Sequence, residues 1–522
     1  MLRLTFCLAL LLPILGFSQI NWWFDTDDAA FGQAAAADLD GDSLYEIVFS
    51  TYRNDGMVYA LNAEDGSLLW QYDTGGCNDV APLIYDVDQD GELEVIVPSS
   101  CNPTTFCING LTGLLEWSIP SHGSDSPPTI ANIDQDPDLE ILHGEFGGWV
   151  LGINAENGTQ AWNIPVDLNS WIQTAPAILD VNQDNQLDFV VATWSFDTAH
   201  TIYAFDGSNQ QLLWKSSAPN DYIYHGGAFA DIDGDQKPEI AFADYSGQVM
   251  VLNAEDGSVL WTYSRPFPVY AGAPISIGDI NGDGNLNLVY LDAYTLVALN
   301  HTGQEIWNYT LPNSGQAFRG AALADLDNDS IPDVTIGTSA GQVISLNGVN
   351  GSLITTIDLQ AHFGAANSFE IDHGPLIADF NQDGLLDVFV VGGHAEYPNI
   401  QNNYGRAYMA TLGAGFGPEW LMFRHDERRS ACLCSPAPNH LSLEAEKTFE
   451  FSLYPNPTTD FLNLSVPEEW IGKEGFVYDL EGKLIQNFRI KGKTQSLNLK
   501  TYPSGVYLIS LPNNIQSQFI RL

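Results

Sequence analysis

The chain has 522 residues, 45% of them hydrophobic and 11% aromatic, which is enough for two or three domains with cores of their own. Its 66 acids against 18 bases leave a net charge of −48, which excludes nucleic acid and anionic membrane surfaces as partners. The aromatic content also excludes a solvated, disordered chain, so the acid serves either solubility or the binding of many cations.

Met1–Ser18 has the form of a secretory signal peptide. Arg3 supplies the positive end and Leu4–Leu15 the apolar stretch. Gly16-Phe17-Ser18 places small residues around a cleavage point before Gln19. The apolar run is too short to span a bilayer, no later segment is long enough, and Cys7 lies too early for a lipoprotein. Removing the signal leaves Cys77, Cys101, Cys107, Cys432 and Cys434, an odd number whose pairing the spacing leaves open. None has a paired Cys-x-x-Cys zinc spacing.

From residue 19 to 430 one nine-residue pattern returns eight times, its starts 46 to 54 residues apart. Positions one, three, five and nine are Asp38, Asp40, Asp42 and Glu46 in the first copy, and Asp86, Asp88, Asp90 and Glu94 in the second. They are Asn132, Asp134, Asp136 and Glu140 in the third, and Asp180, Asn182, Asp184 and Asp188 in the fourth. The fifth has Asp231, Asp233, Asp235 and Glu239; the sixth has Asp279, Asn281, Asp283 and Asn287. The last two have Asp325, Asp327, Asp329 and Asp333, then Asp379, Asn381, Asp383 and Asp387.

These 32 positions hold 27 acids, whose mutual repulsion calls for a cation. Alternate oxygens in a tight loop suit calcium, which takes six to eight of them. Magnesium prefers a tighter octahedron, and zinc or copper would call for His or Cys, which the loops lack. An EF-hand is excluded because position twelve is apolar, as at Phe49 and Val97. Up to eight calcium sites are expected. The third copy, with Asn132 and Pro137, and the sixth, with two carboxylates, should be the weakest.

A β-rich run follows each loop, as in Val95-Ile96-Val97, and then a hairpin that ends on tryptophan: Trp70, Trp117, Trp162, Trp214, Trp261 and Trp307. The seventh hairpin has lost its tryptophan. Four short strands per repeat are the sequence form of a propeller blade, so the expected fold is all-β: an eight-bladed β-propeller, with seven blades as the alternative. Residues 21–26 resemble the later outer-strand sequences and are expected to latch the ring as the outermost strand of the last blade. Pro418–Phe423 is the rival for that place.

The loops, their strand context and their period resemble the FG-GAP or VCBS repeats of calcium-loop propellers, which include the integrin α-subunit head. The Asp-Gly-Ser-x-x-Trp hairpins resemble the tryptophan-docking repeats of the quinoprotein dehydrogenases, which are typically eight-bladed. Those enzymes bind pyrroloquinoline quinone, and many use a vicinal Cys-Cys pair that this chain lacks. The second resemblance therefore implies blade geometry, and no quinone is expected.

A linker is read at 431–450, where Pro436-Ala437-Pro438 breaks the pattern. Residues 451–522 then change in composition, with SLYPNPTTDFLNLSV, VYDLEGKLIQNF and LKTYPSGVYLISL. This segment resembles the C-terminal sorting domain of the type IX secretion system. The resemblance implies a small β-sandwich, the secretion machinery as partner, and delivery to the medium or the outer cell surface.

Chain direction puts the acidic loops on one face of the propeller. The opposite face is expected to carry ligand through Trp149, Trp171, Trp194, Tyr222, Tyr224, Tyr270, Phe318 and Tyr397, with His225, Arg319, His373 and His394 among them. Aromatic faces between polar groups suit a glycan, so the reading is a monomeric binding or adhesion module with a glycan or protein ligand. The alternative is a polysaccharide lyase or hydrolase, which requires a His, an Arg and a carboxylate to converge on that face.

Overall fold

The computed structural model describes residues 20–134, 136–197, 200–420 and 432–433, and in the tail 452–454, 458–459, 461–466, 470–479, 483–500, 502–503, 505–510 and 516–521. The signal peptide, most of the linker and Pro455–Pro457 of the tail motif lie outside these residues. The chain divides into two compact units, Met1–His440 and Leu441–Leu522.

The first unit is a β-propeller of eight sheets, each built on four antiparallel strands, which in seven of them follow one another in chain order. Blade two is representative, with strands Leu83–Tyr85, Glu94–Ser99, Thr104–Asn109 and Leu115–Pro120. Its second strand is buried at every residue, because neighbouring blades cover both faces. That is why it reads EVIV without alternation. Its outermost strand alternates between exposed and half-buried residues, as a rim should.

Tryptophans join the blades. The Trp70 indole donates to the Gly110 carbonyl of the next blade at 2.6 Å, and Trp117, Trp214, Trp261 and Trp307 repeat the bond to Ala155, Ala254, His301 and Gly348. Each ring lies on the hairpin glycine of the blade it meets. A Cβ at Gly113 would sit 2.7 Å from Trp70, and φ there is +67°, so glycine is required twice over.

The same joint closes the ring. Ile20–Thr26 pairs antiparallel with Tyr404–Gly413, Trp23 opposite Tyr408, and so completes blade eight. Trp22 then docks on blade one, with its indole 2.7 Å from the Ala63 carbonyl and its ring against Gly66. The expected latch is therefore present, and Trp22 serves as the docking tryptophan of the eighth blade. The rival segment goes elsewhere: Phe416–Trp420 pairs with Ala322–Asp325, the first strand of blade seven, because the outer edge of blade eight is already filled.

First strands of neighbouring blades touch one another and so surround the axis. Phe416–Trp420 lies on the axial side of blade seven, and Cys432–Leu433 runs parallel to Phe229–Ala230 of blade five. Both segments thus lie against first strands, on the inner side of their blades. Cys77 and Cys101 form a disulfide, Cys107 is buried and free, and Cys434 lies outside the described residues.

The second unit has two sheets. Phe461–Ser465 pairs with Ser452–Tyr454 and Thr494–Asn498, and Glu474–Asp479 lies between Leu484–Arg489 and Gly505–Ser510, with Gln516–Arg521 at the edge. Leu462, Leu464, Trp470, Val477, Leu497 and Ile509 form its core. Among the described residues, no helix is long and apolar enough to cross a membrane.

Candidate functional site

The acidic loops share one backbone. Position four has positive φ in seven copies, at Gly41, Gln89, Gln183, Gly234, Gly282, Asn328 and Gln382, and position six does so in the same seven. Four of the seven residues at position four are not glycine, so the loop imposes a conformation that side chains ordinarily avoid. The third copy is the exception at position six, where Pro137 fixes φ near the helical value.

Within the first loop Asp38 accepts from the backbone of Gly41 and Ser43 at 2.7 and 3.0 Å. Asp42 accepts from Leu44 at 2.8 Å, and Glu46 from Leu39 at 2.6 Å. Five loops bring three carboxylates within 4.8 Å of one another: Asp38, Asp40 and Asp42; Asp86, Asp88 and Asp90; Asp134, Asp136 and Glu140; Asp231, Asp233 and Glu239; Asp325, Asp327 and Asp333.

Position nine is the buried floor of each loop. Glu46 and Glu94 are 1% exposed, and Glu140 and Asp387 are sealed. Burial pushes Glu46 and Glu239 up to about 7 and Glu94 and Glu140 up to about 8, with the loop aspartates adding repulsion. Glu140 Oε1 and Asp387 Oδ2 have no hydrogen-bond partner. A cation would satisfy such oxygens. In the sixth loop Asn287 occupies this floor, and its buried Nδ2 is unpartnered, which suits a metal poorly.

The opposite face carries a cavity of about 470 Å³ near the axis. It is lined by Phe31, Tyr52, Asp79, Tyr224, Tyr270, Gln316, Phe318, Arg319, Asp372, Glu396 and Tyr397. Arg319 stands in its wall, 7% exposed. Its Nη2 donates to Asp79 at 2.7 Å and its Nη1 lies 3.3 Å from His225 Nε2. The guanidinium also lies over the rings of Tyr224 and Phe318, at 5.4 and 5.8 Å. The Tyr224 hydroxyl reaches Asp79 at 3.5 Å.

Carboxyls in this region are hard to ionise. Burial raises Asp79 despite the pairing with Arg319, and burial raises Asp125 as well. Asp372 is pushed up to about 6 by burial and by the neighbouring Glu370. Burial opposes the charge on Arg319, but Asp79, Tyr224 and Asp372 carry its pKa upward, so it stays a cation.

Of the sequence-predicted residues, Tyr224, Tyr270, Phe318, Arg319 and Tyr397 meet in this cavity, with His225 behind Arg319. Trp194 stacks on Tyr222 at 4.1 Å, and Tyr222 leads through Tyr245 to Tyr270. Trp171 belongs to a second groove of about 420 Å³, between Phe146 at 4.7 Å and Phe196 at 4.9 Å. Trp149 packs on His122 at 5.6 Å and joins neither. His394 lies 3.4 Å from Glu370 at the cavity's edge. His373 is 2% exposed, packs beside Phe389 at 6.0 Å and is not in the cavity lining.

Sequence reasoning missed Phe31, Tyr52, Asp79, Gln316, Asp372 and Glu396. A signal was present. Seven residues before the first position of each acidic loop stand Phe31, Asp79, Asp125, Gln173, Tyr224, Gly272, Phe318 and Asp372. Five of these eight line the cavity, since each precedes a first strand at the mouth of the channel.

A family profile described as outer membrane protein assembly factor BamB matches residues 39–192 and 198–404. A second, described as secretion system C-terminal sorting domain, matches 452–522, which carries secretion to the cell surface. BamB of Yersinia pestis is 24% identical over 239 residues, 43% of this chain and 55% of that protein. Tetrathionate hydrolase of Acidithiobacillus ferrooxidans is 24% identical over 314 residues, 54% of this chain and 59% of that protein. The chain thus spans between half and three-fifths of these curated relatives. Among solved structures, the quinohemoprotein alcohol dehydrogenase of Comamonas testosteroni superposes with a TM-score of 0.55 at 13% identity, over 76% of this chain and 77% of that one. A europium-containing methanol dehydrogenase gives 0.54 at 12%, over 76% and 93%. These likenesses show the propeller fold. The family match falls on the tryptophan-hairpin side of the resemblance.

Proposed function

The chain belongs to the family described by outer membrane protein assembly factor BamB, and from that premise we propose that it is a secreted, calcium-loaded propeller that binds an extracellular glycan in its axial cavity. The observation that carries the reading is that cavity, where six aromatic rings surround acidic and amide groups and one arginine. Sugar rings stack on aromatic faces, and carboxylates, amides and guanidinium pair with hydroxyls.

Calcium is the scaffold in this reading. The residues fit the ion: in five loops three carboxylates lie close enough to share it, and buried floor oxygens at Glu140 and Asp387 have no other partner. The acidic-loop resemblance to FG-GAP propellers belongs here. The type IX machinery, acting through residues 452–522, is the secretion partner.

The test is a glycan array probed with the calcium-loaded full-length protein, followed by titration of the hit against Phe318→Ala and Tyr397→Ala. Each substitution is expected to weaken binding about tenfold or more. An array without hits, or hits indifferent to both changes, rejects the cavity as a glycan site.

One observation favours a second reading. His225, Arg319 and Asp79 converge within hydrogen-bonding reach, which is the cluster a polysaccharide-degrading enzyme requires. The density of acid disfavours a polyuronate, so a hydrolase fits better than a lyase. The same repulsion disfavours a dianion such as the tetrathionate in the relative's name. New reducing ends from a bound polysaccharide, lost in Asp79→Asn, would support this reading; intact polysaccharide at every pH would reject it.

A further inference from the structure

The charge around the axial cavity is one-sided. Asp79, Asp372 and Glu396 line it and Asp125 is close enough to Asp79 to act on its charge, whereas Arg319 is the one cation in the lining and Arg53 packs over the Tyr397 ring at 5.3 Å. Arg319 is already shared between Asp79 and His225. Glu396 accepts hydrogen bonds from the neutral amides of Asn399 at 2.7 Å and Asn402 at 3.5 Å, and Asp372 feels Arg319 only at longer range, so neither carboxylate has an ion-pair partner of its own in the lining.

Two features distinguish this acid from the loops. Among the described residues, every group of three acids tight enough to share an ion lies in a loop. The cavity acids are spread around a wide space, and aromatic rings fill the gaps between them. Rings offer a compact metal ion no oxygen, but their faces attract a bulky organic cation. Arg319 adds a separate feature: it is the one guanidinium in the lining, and its buried Nε has no acceptor in the protein.

Resting on the reading of the cavity as the ligand site, we propose that it recognises a protonated amine carried on a sugar ring, that is, an amino sugar whose nitrogen is not acetylated. The ammonium sits among the aromatic faces toward Asp372 and Glu396. The ring's apolar face stacks on the tyrosines, and a hydroxyl oxygen meets Arg319.

The experiment compares glucosamine disaccharide with its N-acetylated counterpart, which keeps the rings and loses the charge. Both are titrated into the calcium-loaded full-length protein at physiological ionic strength. The free amine is expected to bind at least about tenfold tighter, and Asp372→Asn is expected to remove most of that preference. A chain of net charge −48 attracts any cation, so Asp65→Asn, in an exposed turn beside the acidic loops, is the control and should leave the preference intact. Equal loss in both variants means general attraction and overturns the proposal. Equal binding of the two sugars overturns it too but leaves the cavity as a glycan site. No binding of either sugar overturns it as well, and together with an empty array it removes the glycan reading.

Discussion

Replacing Trp22 with alanine should weaken the closure of the propeller, where Ile20–Thr26 pairs with Tyr404–Gly413. The residue is 7% exposed, its indole is bonded to Ala63, and its ring is wedged on Gly66 and lies 6.0 Å from Phe389. Truncating a buried tryptophan costs about 3–5 kcal/mol. A propeller of about 400 residues loses roughly 0.8 kcal/mol of stability per degree near its midpoint, so the melting temperature should fall by about 4–6 °C. Trp23 is the internal control: it is 50% exposed on the opposite side of the same strand and packs on Arg406 and His362. Its alanine variant should lose about 1 kcal/mol or less. Differential scanning calorimetry with calcium present gives the shifts, and limited proteolysis followed by mass spectrometry reports whether residues 20–26 have been released. If Trp22→Ala melts within a degree of wild type, or is cut no faster than Trp23→Ala, the closure is not held as described.

Chelation is expected to lower the melting temperature by several degrees and added calcium to restore it, because an ion that binds only the folded state stabilises it by mass action; an unchanged melt with no calcium by elemental analysis refutes the loop assignment. A chain ended after Ser435 should keep the propeller's melting transition but fail to reach the cell surface, as judged by surface labelling of the host, and normal delivery would refute the sorting role. The raised pKa of Asp372 means that its contribution to stability is present below about pH 4 and is lost as pH rises through about 6. Asp372→Asn should therefore gain on wild type between pH 5 and 7.5, by about 1–2 kcal/mol once partial solvent access is considered; parallel pH profiles for the two proteins refute this.

The blades were legible because their signals are local and repeated. A loop that needs oxygen at alternate positions and a hairpin that needs glycine under a tryptophan leave the same letters at the same spacing in copy after copy. The latch was legible for the same reason, since the Asn21–Thr26 segment carries the letters of an outer strand without an inner one. The cavity was half legible. Phe318 and Tyr270 stand out as aromatics in loops, but Asp79 and Asp372 share a register with Gln173 and Gly272. A ring whose members each do something different shows no consensus. The pairing of Phe416–Trp420 with blade seven was not legible: the sequence marks a strand near Pro418–Phe423 but, outside the repeat, nothing tells it which blade to join.

Closure also sets an order of events. Trp23 and Tyr408 are 385 positions apart, and bringing the ends of such a stretch together costs about 5 kcal/mol of chain entropy. Trp22 can dock on blade one early, but the strand pairing of the joint forms only when Tyr404–Gly413 arrives. During export, when the chain emerges from its amino end, the first strand waits while seven blades assemble behind it. Throughout that interval the growing array exposes a bare edge at each end, the state most open to pairing with a neighbouring chain. The last strand of blade eight therefore acts as a timer: the molecule becomes safe from its neighbours only after residue 413 has appeared.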